Sequence, residues 1–375
     1  MSKTVMLCGI GEVGGWALEF LARSEGVDRI VTSDVNEEWG AYRTNVAAVG
    51  SIYQGFSKKF EFHRSDLNDI DATARLLEEI KPDVIFTSVT IQGPRVLRTT
   101  PLSQDVRDRL WAAGFGAWLP WHLLLPAKLM QAVQKSGIQT HMLNASFPDV
   151  VGPAIWNRFG FGPTVGIGNH DLLAANIIKY VSMTEGVPAQ DVILYFVGSH
   201  ALYEHGSKAG VPFFLKIILG DKDITSKYDV NWLTEDCMLS IRWKIAKQTV
   251  VYSSTAASAV KNVMAIIRDT NEYTHAPAPN GLPGGYPVRL SAKGAEVILP
   301  KELTLEQAVK INEEANKFDG IEKIKDDGTI VYTDKTYSIM KELGYNCKEL
   351  SFDELESRAE ELKALHRKLA ASGSK

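Results

Sequence analysis

The chain has 375 residues, of which 45% are hydrophobic and 23% charged, and a formal net charge of −4. That is enough apolar length for two ordinary domains with packed cores, and it argues against a general nucleic-acid surface. No apolar run reaches the roughly 18 residues of a membrane span, because residues 115–130 are broken by Pro120, His122, Pro126 and Lys128.

The first 150 residues alternate strand and helix patterns. Strands are expected at 4–8, 29–33, 59–63, 83–88 and 139–143, with helices at 12–23, 71–80 and 105–135. This order predicts a parallel sheet covered by helices, with the ligand crevice at the carboxyl ends of its strands. The first unit carries the clearest motif. Val5-Met6-Leu7-Cys8 leads into Gly9-Ile10-Gly11-Glu12-Val13-Gly14, then a helix, then a strand ending on Asp34, 20 residues after Gly14. This is the strand–GxGxxG–helix–strand–acid arrangement of dinucleotide binding. Gly9 permits the tight turn, Gly11 admits the pyrophosphate, and Gly14 lets the helix pack on the strand. The open helix start, at Glu12 and Val13, offers N–H groups to phosphate. A carboxylate at Asp34 suits a ribose hydroxyl and repels a 2′-phosphate, so NAD is expected over NADP. Asp66 is expected at the adenine, and Ser88 to Gln92, including Thr90, beneath the cofactor.

The pattern changes after residue 150, so residues 1–150 are read as an NAD-binding domain and 151–375 as a substrate domain. A strand at 164–167 precedes a helix at 172–183, and a turn at 186–188 leads to a strand at 192–197. Mixed strands are expected over 211–250, a helix over 254–268 and a loop over 275–287. Strands are expected near 287–299, and helices over 304–316 and 352–370. Two segments carry chemistry: Gly168-Asn169-His170-Asp171 at a helix start, and Gly198-Ser199-His200 at a strand end. A neutral imidazole takes the proton of an alcohol as its hydride leaves, and a carboxylate on the other ring nitrogen fixes the tautomer. His200 is therefore read as the general acid/base and Asp171 as its partner. Cys8, Cys237 and Cys347 lie far apart, and no apolar signal segment precedes the first glycines. A reducing, cytoplasmic setting is expected.

From the N-terminus to about residue 300 the chain resembles the lactate/malate dehydrogenase superfamily. Asp171, Gly186-Val187, Gly198-Ser199-His200 and Ser253-Ser254-Thr255-Ala256-Ala257 carry the likeness, with Ile267-Arg268-Asp269 and Gly294-Ala295-Glu296 behind them. The resemblance implies an α/β fold, a Rossmann doubly wound parallel sheet followed by an α+β catalytic domain. It implies NAD, a small-molecule substrate, no metal, and a homodimer or homotetramer. It gives Asn144 the nicotinamide ribose, although the family's Asn-Pro is here Asn144-Ala145-Ser146-Phe147-Pro148. It places Arg95, Arg98, Arg107 and Arg109 in the region of the family's mobile loop; Arg95 and Arg98 are taken as substrate contacts, with His205. Ala174 stands where the family has an Arg that clamps the substrate carboxylate. The substrate is thus expected to be a secondary alcohol or ketone other than a simple 2-hydroxy acid. Three alternatives stay open. One is an NAD- and Mn-dependent glycosidase with His170 and His200 as ligands. Another is an extended short-chain reductase or epimerase, for which Tyr337 and Lys341 give the only Tyr-x-x-x-Lys spacing. The third is a non-catalytic NAD-binding module.

Overall fold

The computed structural model describes residues 2–93, 96, 99–235 and 252–373. Six short runs rich in Val, Ile, Leu and Phe form the central sheet. They are β1 Thr4–Cys8, β2 Arg29–Asp34, β3 Lys59–Arg64, β4 Val84–Thr87, β5 His141–Asn144 and β6 Val165–Gly166. β1 and β4 are buried along their whole length, as a parallel strand covered on both faces requires. The order is β3-β2-β1-β4-β5-β6, with every pairing parallel. The strand order reverses between β1 and β4, so a crevice opens above their carboxyl ends.

Helices α1 Glu12–Ala22, α2 Glu37–Tyr53 and α3 Ile70–Ile80 connect the first strands. The hydrophobic pattern did not reveal α2. Its apolar residues Tyr42, Val46, Val49 and Tyr53 are spaced for one helix face, but that face points to solvent, between 41% and 85% exposed. The helix expected over 105–135 is two: α4 Gln104–Ala113 and α5 Leu119–Ser136. Gly114 breaks it at a φ of 83°, and a Cβ there would lie 2.6 Å from the backbone of Asp319. Gly116 then donates its N–H to the Asp319 carbonyl at 2.7 Å. A later segment of the chain therefore fixes this break.

Next in the chain are α6 Pro148–Phe159, α7 Asn169–Glu185, β7 Val192–Val197, α8 His200–His205, β8 Phe214–Leu219, β9 Lys222–Asp223 and α9 Val230–Thr234. They are followed by α10 Tyr252–Arg268, β10 Glu272–Pro277, β11 Gly285–Ser291 and β12 Gly294–Val297. The expected loop at 275–287 thus begins inside a strand, because Thr274 to Pro277 pair with β11. β7-β8-β9 and β10-β11-β12 are separate antiparallel sheets, stitched by mutual Gly198–Gly285 backbone hydrogen bonds. Last come α11 Leu305–Asn316, β13 Ile321–Ile324, β14 Ile330–Tyr332, α12 Asp334–Leu343, β15 Glu349–Leu350 and α13 Leu355–Gly373. α11 starts with a reciprocal Thr304/Gln307 capping box. One apolar core joins α1, α10 and the sheet. A second joins α3, α5 and α6 to Ile321, Met340, Leu355 and Leu362 of the C-terminal part. Among the described residues no helix is long and apolar enough to cross a membrane.

Candidate active site

The glycine turn after β1 has the shape its sequence predicts. Gly9 has a φ of 86°, a region that L side chains rarely adopt. A Cβ on Gly14 would lie 1.9 Å from the Gly9 carbonyl oxygen, so helix and strand approach too closely for any side chain. Gly11 is the opposite case, with nothing within 4 Å of its missing Cβ. That open space lies in front of the start of α1 and leaves room for a pyrophosphate. Asp34 closes the turn, its carboxylate accepting from Ile10 N at 2.7 Å and Asn36 N at 2.9 Å. Ser88 Oγ donates to the Gly9 carbonyl at 3.2 Å and ties the β4 end to the same turn. The residues present fit a dinucleotide.

A second cluster gathers around α8. Ser199 caps this helix, its hydroxyl accepting from Ala201 N, and sets His200 in the first turn. The His200 backbone N–H donates to Asp149 Oδ1 at 2.9 Å. Its side chain is 8% exposed and donates from Nδ1 to Asp319 Oδ2 at 2.7 Å. Asp319 is fully buried. On its far side His205 Nε2 stands 3.7 Å from Oδ1. Glu204, one helical turn after His200, lies 4.0 Å from Nε2. Burial opposes the imidazolium, but Asp319, Glu204 and Asp149 together outweigh it and raise His200 to about 9. Burial pushes the Asp149 carboxyl up to about 6. Burial would raise Asp319 too, yet His200 and His205 hold it below the usual range. Phe115 and Phe147 wall the His200 ring at 4.8 and 5.0 Å between centroids. Phe147 sits at a φ of 40°, a strained setting that brings the aromatic ring to the start of α6. His122 packs on the same two rings and bonds Ser146 Oγ through Nδ1 at 2.9 Å.

No family model and no curated protein sequence matches the chain. Its structure, however, superposes on a lactate dehydrogenase from a Medee basin deep-sea metagenome at a TM-score of 0.58 and 16% identity, covering 84% of this chain and 96% of that one. The chain has the lactate and malate dehydrogenase fold. A lactate dehydrogenase from Cryptosporidium parvum, complexed with lactic acid and nicotinamide adenine dinucleotide, superposes at 0.58 with 17% identity over 85% and 96% of the two chains. A malate dehydrogenase from Plasmodium falciparum in complex with NADH does so at 0.57 with 13% identity over 84% and 98%.

Within this lactate and malate dehydrogenase fold, the pairing of His200 with Asp171 is not made. Asp171 accepts from Ser258 Oγ at 2.5 Å and Lys261 Nζ at 2.6 Å, two residues that share one face of α10. The first turn of α7 faces α10, and Lys261 is a stronger partner for a carboxylate than a neutral imidazole. Asp319 takes the place instead, 119 residues from His200. No spacing signalled it, since it follows α11 in a stretch outside the resemblance. Glu204, Asp149, His122, Phe115 and Phe147 were also missed. Only Glu204 had a local signal, its i+4 position from His200.

Other expected residues are placed as follows. Glu12 and Val13 form the first turn of α1. Asp66 is exposed at the end of β3 and holds the Asn68 backbone and amide. Thr90 donates to the Trp121 carbonyl at 2.9 Å, so its hydroxyl braces the loop above β4. Asn144 is fully buried and closes a turn on Ser146, accepting from its N–H and donating to its carbonyl. Arg95, Arg98 and Cys237 lie outside the described residues, as do residues 236–251 of the expected mixed strands. His170 stacks on Phe196 at 4.6 Å beside His275. Among the described residues no group of three or more His, Cys, Asp or Glu is set to hold a metal. Tyr337 and Lys341 lie on α12, where the Tyr337 hydroxyl bonds Asn346. Trp118 and Trp121 are core residues, while Trp111 is largely exposed and packs on His205 at 5.5 Å.

Proposed function

We propose that this chain is an NAD-dependent oxidoreductase that interconverts a secondary alcohol and its ketone. The observation that carries this reading is the buried His200–Asp319 pair, in a fold whose β1 turn is shaped for a dinucleotide. When bound, NAD supplies the acceptor for the carbinol hydride. The chain's own residues handle the proton. Asp319 accepts from Nδ1 and so leaves Nε2 as the working nitrogen. In oxidation, neutral His200 takes the hydroxyl proton at Nε2 as the carbinol becomes a ketone. In reduction, the imidazolium returns that proton to the forming alkoxide, and Asp319 stabilises the charge. Phe115 and Phe147 keep water from the ring. The experiment is a panel of secondary alcohols with NAD, read at the NADH absorbance in wild type and His200→Gln. Turnover retained by the variant would refute the assignment.

Asp34 sets the cofactor preference. A ribose 2′-phosphate beside this carboxylate places two anions together, so NAD is expected to bind roughly 10- to 100-fold more tightly than NADP. Calorimetry on both cofactors checks this, and Asp34→Ser should narrow the gap. Equal affinities in the wild type would show that Asp34 does not face the ribose.

The exposed face of α2 supports a homo-oligomer, which the resemblance also implies. Tyr42, Val46, Val49 and Tyr53 form a continuous apolar seam, and an identical seam on a second copy covers it about a two-fold axis. The wild type should sediment as a dimer or a larger closed assembly. The pair Val46→Lys and Val49→Lys should shift it toward the monomer while the fold persists. Unchanged sedimentation would place the interface elsewhere.

A further inference from the structure

We propose that His122 is a substrate-positioning residue: its Nε2–H donates to a neutral oxygen on the carbon beside the reacting carbinol, which makes vicinal diols the substrate class. The proposal rests on the oxidoreductase reading above. His122 is 3% exposed, in the upper part of α5. Its Nδ1 meets the Ser146 hydroxyl, while its Nε2 is buried with no hydrogen-bond partner among the described residues. A buried, unpartnered imidazole nitrogen is costly, and few such groups persist without a ligand or a structural reason.

Nδ1 faces the Ser146 hydroxyl at 2.9 Å and the Thr90 hydroxyl at 3.5 Å, and with Ser146 taken as the donor to Nδ1 the ring proton stands on Nε2. The unpartnered atom is thus a donor in search of an acceptor. Its position fits a substrate better than packing. Phe115 touches both imidazoles, at 5.0 Å for His122 and 4.8 Å for His200, and Phe147 lies against both as well. The two imidazoles thus share the same pair of phenyl rings.

The charge of the group fixes the substrate class. Burial, with His200 adding to it, pushes His122 down to about 3, so it stays neutral at working pH. A neutral donor satisfies a hydroxyl or carbonyl oxygen. A buried carboxylate in its place would call for a counter-charge at His122 itself, and Ala174 supplies none where the resembled family has Arg. A hydroxyl next to the carbinol is the group that this site completes.

The test compares butane-2,3-diol, 2-butanol and lactate with NAD. The wild type should favour the diol over 2-butanol, in kcat/KM, by at least about tenfold. His122→Phe keeps the ring and removes the donor. It should raise the KM for the diol by about 10- to 100-fold with a much smaller change in kcat, and affect 2-butanol far less than the diol. His122→Gln retains a donor and should restore part of the preference. Saturation-transfer NMR on the chain without cofactor gives a reading independent of turnover. The diol should bind in preference to 2-butanol in the wild type, and the preference should vanish in His122→Phe. A preference unchanged in His122→Phe overturns the proposal. A loss of NAD affinity in that variant also overturns it, because the donor would then belong to the cofactor. If no alcohol is turned over but the NMR preference follows His122, the oxidoreductase reading fails and this assignment stands.

Discussion

Asp319→Asn should lower turnover by about 10²–10⁴-fold, the range of a positioned acid/base, while leaving NAD binding near the wild type. Asparagine matches the aspartate in shape, but it removes the charge that outweighs the burial of His200. In the wild type, alcohol oxidation needs neutral His200, so its rate should climb as pH rises through about 9. Ketone reduction needs the imidazolium and should fall over the same range. In the variant, burial acts with less opposition, and the inflection should move down. Stability should follow the same linkage. His200 is raised from 6.5 to about 9, so the pair stabilises the folded chain fully below about 6.5 and loses that contribution as pH rises through 9. Removing one partner of a buried ion pair costs about 3–5 kcal/mol. The melting difference between wild type and Asp319→Asn should therefore be large at pH 6 and small at pH 10. A pH–rate inflection that stays near 9 in the variant would show that Asp319 does not control His200.

Gly14→Val and Gly11→Ala should separate folding of the turn from binding. At Gly14 the first added carbon meets the Gly9 carbonyl oxygen at 1.9 Å and Ser88 Oγ at 3.0 Å. Helix α1 must move away from β1, and the Gly9 N–H bond to the Ser33 carbonyl at 2.8 Å is put at risk. Overpacking of this kind costs about 1–3 kcal/mol, and Gly14→Val should lower both the melting temperature and NAD affinity. At Gly11 the added carbon meets nothing within 4 Å, so the fold should tolerate Ala. On the proposed function the same carbon enters the space the pyrophosphate would take, and NAD affinity should fall by about 100-fold or more, equivalent to some 3 kcal/mol. Calorimetry and thermal melts on both variants read the two effects separately. Full NAD affinity in Gly11→Ala would move the pyrophosphate off this turn.

The turn and the sheet were legible because their causes are local. Gly9 and Gly14 are dictated by backbone geometry within one βα unit, and Asp34 by the length of the strand that follows. The parallel strands show as apolar runs because both of their faces are buried. α2 was hidden for the converse reason: its apolar seam points outward, so the usual link between hydrophobic spacing and a buried face does not hold.

By itself the sequence determined the glycine turn, the parallel strand and helix alternation around it and the position of His200 just after a strand. Each depends on residues a few positions apart, whose φ/ψ limits and periodicity act before any tertiary contact forms. The tertiary structure alone decided which carboxylate serves His200. Asp171 and Asp319 are both aspartates at helix ends, and nothing local tells them apart. Lys261 and Ser258 on α10 engage the first. Gly114 and Gly116 bring α4 and α5 against the backbone of the second, and with it Phe115 against the His200 ring. Choosing between two equivalent charges takes long-range packing, because only packing sets which counter-charge each carboxylate meets and how much water it keeps.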